Sequence, residues 1–277
     1  MPPVSLVEEQ LGRFIAQVER PEPLKFAWPI VLLPEMFTTT RQLAALLGYL
    51  ATIGWEVYAP DLRSMLGHGP TPPLEKFFFD DLVTLAGEAL DALGREAIVL
   101  GHGVGGLAAL KLGDRSNVKA SVAYAPLVPG FASPITSGWS PRIARWRGRL
   151  LNLPAGKSGF EFVADAEPYQ REAAIRAMVS DSAEMAFQIA SGAVNIPQGG
   201  APRLIVAGDS DIFAPIGEVT KFAESVGARL VTLPGRGHWL IGGRALERAI
   251  NETQRFLVRA LGQDLLLLYP EEWKEKD

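Results

Sequence analysis

The chain has 277 residues, 48% hydrophobic and 21% charged, with 27 basic against 31 acidic side chains and a formal net charge of −4. This balance suits a globular chain with a sizeable core, and no basic excess calls for nucleic acid or an anionic membrane surface as partner. The absence of cysteine excludes disulfides, thiolate metal ligands and cysteine nucleophiles.

In chain order, the first stretch, MPPVSLVEEQLGRFIAQV, sets Leu6, Val7, Leu11, Phe14, Ile15 and Val18 at helical spacing. It lacks the unbroken apolar run of a signal peptide, so a helix and a cytoplasmic protein are expected. PIVLL (Pro29–Leu33) reads as a buried strand, Arg41–Gly54 as a helix closed by glycine, and WEVYA (Trp55–Ala59) as a second strand. Asp80–Leu93 reads as an amphipathic helix, Glu96–Leu100 as a strand, and GLAALKL as a helix able to lie close to a sheet. Val118–Ala125, Arg203–Ala207 and Ala228–Leu233 complete the strands, and Arg244–Leu261 is a late helix. Strands apolar on both faces, alternating with helices, predict a mostly parallel, doubly wound α/β sheet. The rhythm breaks between Pro126 and Pro202, where aromatic and proline-rich stretches look like an insertion. Residues 1–126 and 201–277 then carry the alternating core, with 127–200 inserted between them.

VLGHGVGG (Val99–Gly106) has two chemical readings. Gly101, Gly103 and Gly106 fit the G-x-G-x-x-G turn that cradles a pyrophosphate, but that turn needs an acidic residue about 20 positions on. VKASVAYAPL supplies neither an acid nor an arginine. The same residues fit the G-x-S-x-G nucleophile elbow, with Gly103 where the serine should be. Two later features support the elbow: Asp211 follows a strand in RLIVAGDSDIFAP, and His238 sits in the glycine-flanked LPGRGHWL.

With elbow, acid and histidine in that order, the chain resembles the α/β-hydrolase fold superfamily from about Pro29 to Leu261. The resemblance rests on PIVLL, WEVYAPDLR, DDLVTLAGEALDALGREAIVLGHGVGG, AGDSDIFAP and GRGHW. It implies that Asp211 is the acid, His238 the catalytic histidine, and the N–H groups of Val104 and Met36 the oxyanion hole. It also implies that residues 127–200 are a helical cap over the site; Trp139 and Trp146 there suit either the lining of a substrate pocket or the glue between cap and core. Three departures stand out. Serine is replaced by Gly103, the His-Gly after the first strand is Pro34-Glu35, and the N-terminus reads as a helix instead of a β-hairpin, which would shorten the sheet by two strands.

Glu35 and His102 are further candidates. A carboxylate beside an oxyanion site opposes ester hydrolysis but could act as acid or base, or could point to solvent. His102 is expected to pack and hydrogen-bond locally, and His68 to have a surface or structural role. Asp209 is the rival of Asp211 for the histidine. The Arg142, Arg145, Arg147 and Arg149 run fits a solvated helix face better than an anion site. No cofactor or metal is implied, and the expected partner is a small, largely apolar substrate, with homodimerisation left open.

Glycine at position 103 removes covalent serine chemistry. Three functions stay open: a nucleophile-free enzyme whose Asp–His dyad is a general base for hydrolase-like, lyase or cyclase chemistry; a non-catalytic ligand binder; or a serine hydrolase carrying an inactivating Ser-to-Gly change.

Overall fold

The computed structural model describes residues 7–136, 150–153 and 156–267. Eight strands form one sheet in the order β1-β2-β4-β3-β5-β6-β7-β8. They are β1 (Val7–Leu11), β2 (Phe14–Glu19), β3 (Ile30–Leu33), β4 (Val57–Pro60), β5 (Ala97–His102), β6 (Val118–Tyr124), β7 (Arg203–Gly208) and β8 (Arg229–Leu233). From β4 onward across the sheet, every pairing is parallel. β3, β4, β5 and β7 are buried at every position, which is why they read as continuous apolar runs instead of alternating ones.

The N-terminal reading needs correction. Residues 7–19 form an antiparallel hairpin, with Leu11 opposite Phe14, and β2 pairs antiparallel with β4. The intervening Gly12 takes φ 59°, the left-handed conformation that a two-residue turn needs. Leu11, Phe14 and Val18 satisfy the helical period, yet Phe14, Ala16 and Val18 also alternate inward along β2 while Ile15 stays exposed. Pairing with β4 decides between the two periods, and the sheet keeps its full eight strands.

The main helices near the site are α1 (Ala44–Thr52), α2 (Phe79–Leu93) and α3 (Val104–Leu112). Between β6 and β7 lie α4 (Lys157–Phe162), α5 (Pro168–Arg176) and α6 (Ala183–Ala190). Among the described residues this insertion adds no strand to the sheet, only an isolated bridge between Leu151 and Asp181. Helix α7 (Ile216–Ser225) follows β7, and α8 (Gly243–Leu261) packs against β6, β7 and β8. No helix among the described residues is long and apolar enough to cross a membrane.

The glycines of VLGHGVGG serve close approach. A Cβ on Gly101 would stand 2.1 Å from the Gly105 backbone, and one on Gly105 would stand 2.4 Å from the carbonyl oxygens of Leu33 and Pro34. The end of β5, the start of α3 and the loop leaving β3 therefore meet backbone to backbone. This contact brings residue 35 over residue 103.

Candidate active site

The loops leaving the carboxyl ends of β3, β5, β7 and β8 converge, as open α/β sheets arrange their ligand crevices. Gly103 joins β5 to α3 at φ 52°, ψ −114°, a backbone state that glycine enters freely and other residues only under strain. His238, after β8, is fully buried, and its Nδ1 lies 2.8 Å from Asp211 Oδ2. The other Asp211 oxygen accepts the N–H groups of Phe213 (2.7 Å) and Ala214 (3.1 Å). Asp209, by contrast, is exposed and accepts from the Gly235 N–H and the Ser210 hydroxyl. Asp211 is thus the residue that reaches the imidazole.

Glu35 points inward and is buried. Its Oε1 accepts the backbone N–H groups of both Met36 (2.5 Å) and Val104 (2.9 Å). Its Oε2 lies 3.1 Å from His238 Nε2. A Cβ built on Gly103 would fall 0.9 Å from that same Oε2. The carboxylate fills the volume that a side chain at 103 would occupy. Helix α3 does hold an anion at its N-terminus, as such helix ends can, and the anion is this side chain.

Burial alone would depress the pKa of His238, but the Asp211 and Glu35 carboxylates on its two nitrogens outweigh burial and carry it up to about 10. His238 therefore rests as an imidazolium between two acids. Burial would raise the Asp211 carboxyl, and the imidazolium with the two backbone donors overcomes it and holds the carboxyl low. His102 sits beside them with its Nε2 2.7 Å from the His238 carbonyl oxygen. That oxygen only accepts, so Nε2 carries the proton. Burial and the nearby His238 push His102 down to about 4, and its Nδ1 has no partner. Glu35, His102 and His238 place ligand-type atoms within 4.8 Å of one another. A cation there would have to displace the proton shared by His238 and Glu35.

The insertion holds both loops of the site through two aspartates that sequence reading missed. Asp181 Oδ2 accepts the Phe37 N–H at 2.8 Å and pairs with Arg63 Nη1 at 3.0 Å. Phe37 has φ 63°, a strained state for a bulky residue that this clamp, with the Val179 N–H donating to the Phe37 carbonyl, holds in place. Asp165 Oδ2 accepts the Gly237 N–H at 2.6 Å, next to His238. Neither aspartate lies in a motif; both act across the fold, so spacing carries no signal for them. Phe162 of α4 and Phe213 pack at a tilt against the His238 ring, with centroids 5.0 and 5.3 Å away, and the ring is fully buried. Arg63 reaches across to the Asp181 carboxylate and the Ser180 carbonyl oxygen, whereas Asp61 fixes its own loop by accepting the Arg63 and Ser64 N–H groups. His68 is exposed. Trp139, Trp146 and the run Arg142, Arg145, Arg147 and Arg149 lie outside the described residues.

A cavity of about 40 Å³ opens beside Glu35 and Val104, walled by Leu62, Leu66, Phe77 and Met185. A family model described as the alpha/beta hydrolase family matches residues 27–250. The chain belongs to the alpha/beta hydrolase family. A search of curated proteins finds no significant match. Among solved structures, a monoacylglycerol lipase from Paleococcus ferrophilus is similar at 18% identity and TM-score 0.67, over 88% of this chain and 98% of that one. A soluble variant of the Saccharomyces cerevisiae monoglyceride lipase is similar at 16% identity and TM-score 0.65, over 92% and 95%. Est1E from Butyrivibrio proteoclasticus, solved with ferulic acid, is similar at 20% identity and TM-score 0.61, over 93% and 100%. Identities of this size speak for the fold.

Proposed function

We propose that this family member is an enzyme for a small, largely apolar molecule that works without a serine nucleophile. The His238–Asp211 dyad carries its proton transfer, with His238 an imidazolium at rest, and the Glu35 carboxylate stands over Gly103. The single observation that carries this reading is the position of Glu35. One oxygen sits on the two N–H groups that the family resemblance assigns to the oxyanion hole, and the other sits where a nucleophile would be, facing His238. Against the superfamily pattern, positions 35 and 103 have exchanged roles: the side chain comes from the β3 loop and the glycine lies at the elbow. Residues 127–200 act as the cap, since Asp165, Asp181 and Phe162 all reach the site from that segment.

A Ser-to-Gly change in an ordinary serine hydrolase fits less well. A serine at 103 and the observed Glu35 exclude each other in space, so the glycine is matched to its neighbour. The lipases and esterases among similar structures support hydrolysis over lyase or cyclase chemistry.

The test is a panel of short esters, lactones, epoxides, haloalkanes and β-hydroxy ketones, assayed with and without a fluorophosphonate. Turnover of at least one class is expected, insensitive to the fluorophosphonate and reduced by about 10²–10⁴-fold in His238→Ala. No turnover of any class, or turnover indifferent to His238→Ala, overturns the reading and favours a ligand-binding protein.

A further inference from the structure

We propose that Asp165 is the positioning residue of His238: it ties the insertion to the loop on both sides of the imidazole, so that the ring is in place only while the insertion is seated. The inference deepens the function proposed above and rests on it for the effect on rate alone.

Asp165 lies between α4 and α5, is buried, and reaches the histidine loop in two ways. Its side chain accepts the Gly237 N–H at 2.6 Å, one residue before His238, and stands 3.6 Å from Arg236 Nη1. Its backbone carbonyl accepts the Arg244 N–H at 3.3 Å, in the first turn of α8. One residue thus brackets His238 along the chain. Two glycines make the approach possible: a Cβ on Gly243 would fall 2.1 Å from the Asp165 carbonyl oxygen, and one on Gly237 3.2 Å from Oδ2.

The aspartate is itself held from behind. Arg171 of α5 donates from Nε to the Ala166 carbonyl oxygen at 3.0 Å and from Nη2 to that of Ala164. Phe162, three residues earlier, packs against the imidazole with centroids 5.0 Å apart. The stretch 162–166 therefore meets the loop as a braced unit.

The core supplies the other half of the grip. The Ser210 N–H donates to the Arg236 carbonyl oxygen at 2.9 Å, and His102 Nε2 and the Leu240 N–H donate to that of His238. These core donors satisfy carbonyl groups, whereas the part-buried Gly237 N–H is answered from the insertion. Without Asp165 that N–H would turn toward water or another acceptor. The imidazole has little room for such a turn. Its nitrogens lie 2.8 Å from Asp211 and 3.1 Å from Glu35, and hydrogen bonds weaken steeply as they lengthen or bend. Asp165 is not among the described residues lining the cavity beside Glu35, so its influence on the reaction passes through His238.

The first arm of the experiment needs no substrate. Asp165→Ala, confirmed as folded by circular dichroism, should let the ring drift from its two carboxylates. Its titration, followed by nitrogen chemical shifts, should move down by at least ~0.5 pH unit. Asp165→Asn removes the same charge but keeps an oxygen for the Gly237 N–H, and should return most of that shift. In the native chain the Gly237 amide should exchange with deuterium at least ~10²-fold more slowly than an exposed loop amide, a reading that stands even if the alanine variant does not fold. The second arm uses whichever substrate class the native chain turns over: kcat should fall about 10–100-fold in Asp165→Ala, less in Asp165→Asn, with KM held within ~3-fold. Fast exchange at Gly237, an unmoved titration in Asp165→Ala, equal shifts in both variants, or a loss carried by KM overturns the inference. The expected titration and exchange without turnover of any class leave the positioning of His238 standing and overturn the function proposed above.

Discussion

Glu35 and Gly103 share the space of one side chain: Glu35 Oε2 stands 0.9 Å from the point that a Gly103 Cβ would occupy. Neither residue can be changed without consequence for the other. Gly103→Ser must expel the carboxylate from its two N–H donors and crowd a packed loop, so it should lower stability by about 1–3 kcal/mol. Removing the obstruction in Glu35→Gly/Gly103→Ser should restore most of that loss and create a hydroxyl facing His238. Labelling by a fluorophosphonate, read by mass spectrometry, should appear in the double variant and be absent from the native chain. Labelling of the native chain would show a nucleophile elsewhere.

The raised pKa of His238 depends on its second acid. Burial opposes the charge, and two carboxylates sustain it at about 10. Glu35→Gln keeps the shape and removes one of them, so the imidazole should titrate at lower pH than in the native chain. Nitrogen chemical shifts of His238 across a pH series measure this. An unmoved titration would mean that Asp211 alone sets the value.

The same pKa fixes the sign of a stability trend. Between the unfolded value near 6.5 and about 10, the folded chain holds a proton that the unfolded chain has released. Stability should therefore fall as pH rises through that window, by at most about 1.4 kcal/mol per pH unit for one group. Asp211, held low, acts on the other limb: its contribution is lost as pH drops below the ordinary carboxylate range. Denaturant melts at stepped pH should show the alkaline decline, and it should be shallower in Glu35→Gln.

Asp181 acts on Glu35 at one remove, by holding Phe37 and Arg63. Asp181→Ala strands a buried N–H and a guanidinium and should cost about 1–3 kcal/mol, less than a fully buried pair because Arg63 keeps some solvent contact. Turnover should fall as well, since the strained Phe37 backbone is released. Asp181→Asn retains the acceptor for the Phe37 N–H and should lie between the two in thermal melting and in rate. Equal loss in both variants would assign the effect to charge and not to the clamp.

The sequence by itself determined the parallel sheet, because β3, β4, β5 and β7 are largely apolar runs buried at every position. Its resemblance to the α/β-hydrolase fold singled out Asp211 and His238, each in a loop after a strand and in the order elbow, acid, histidine, and its glycines identified the turn at Gly103. The N-terminal hairpin was ambiguous, since the same apolar residues satisfy two periods and only pairing with β4 selects one. The direction of Glu35 was undecidable from spacing. Nothing in Pro34-Glu35-Met36 says whether the carboxylate faces solvent or the helix N-terminus, and the answer depends on a void left by a glycine 68 residues later and on donors from two loops. Asp165 and Asp181 belong to the same class. Periodicity records which face of an element is buried, whereas a buried carboxylate is placed by donors brought together from distant parts of the chain, and only the tertiary structure assembles those donors.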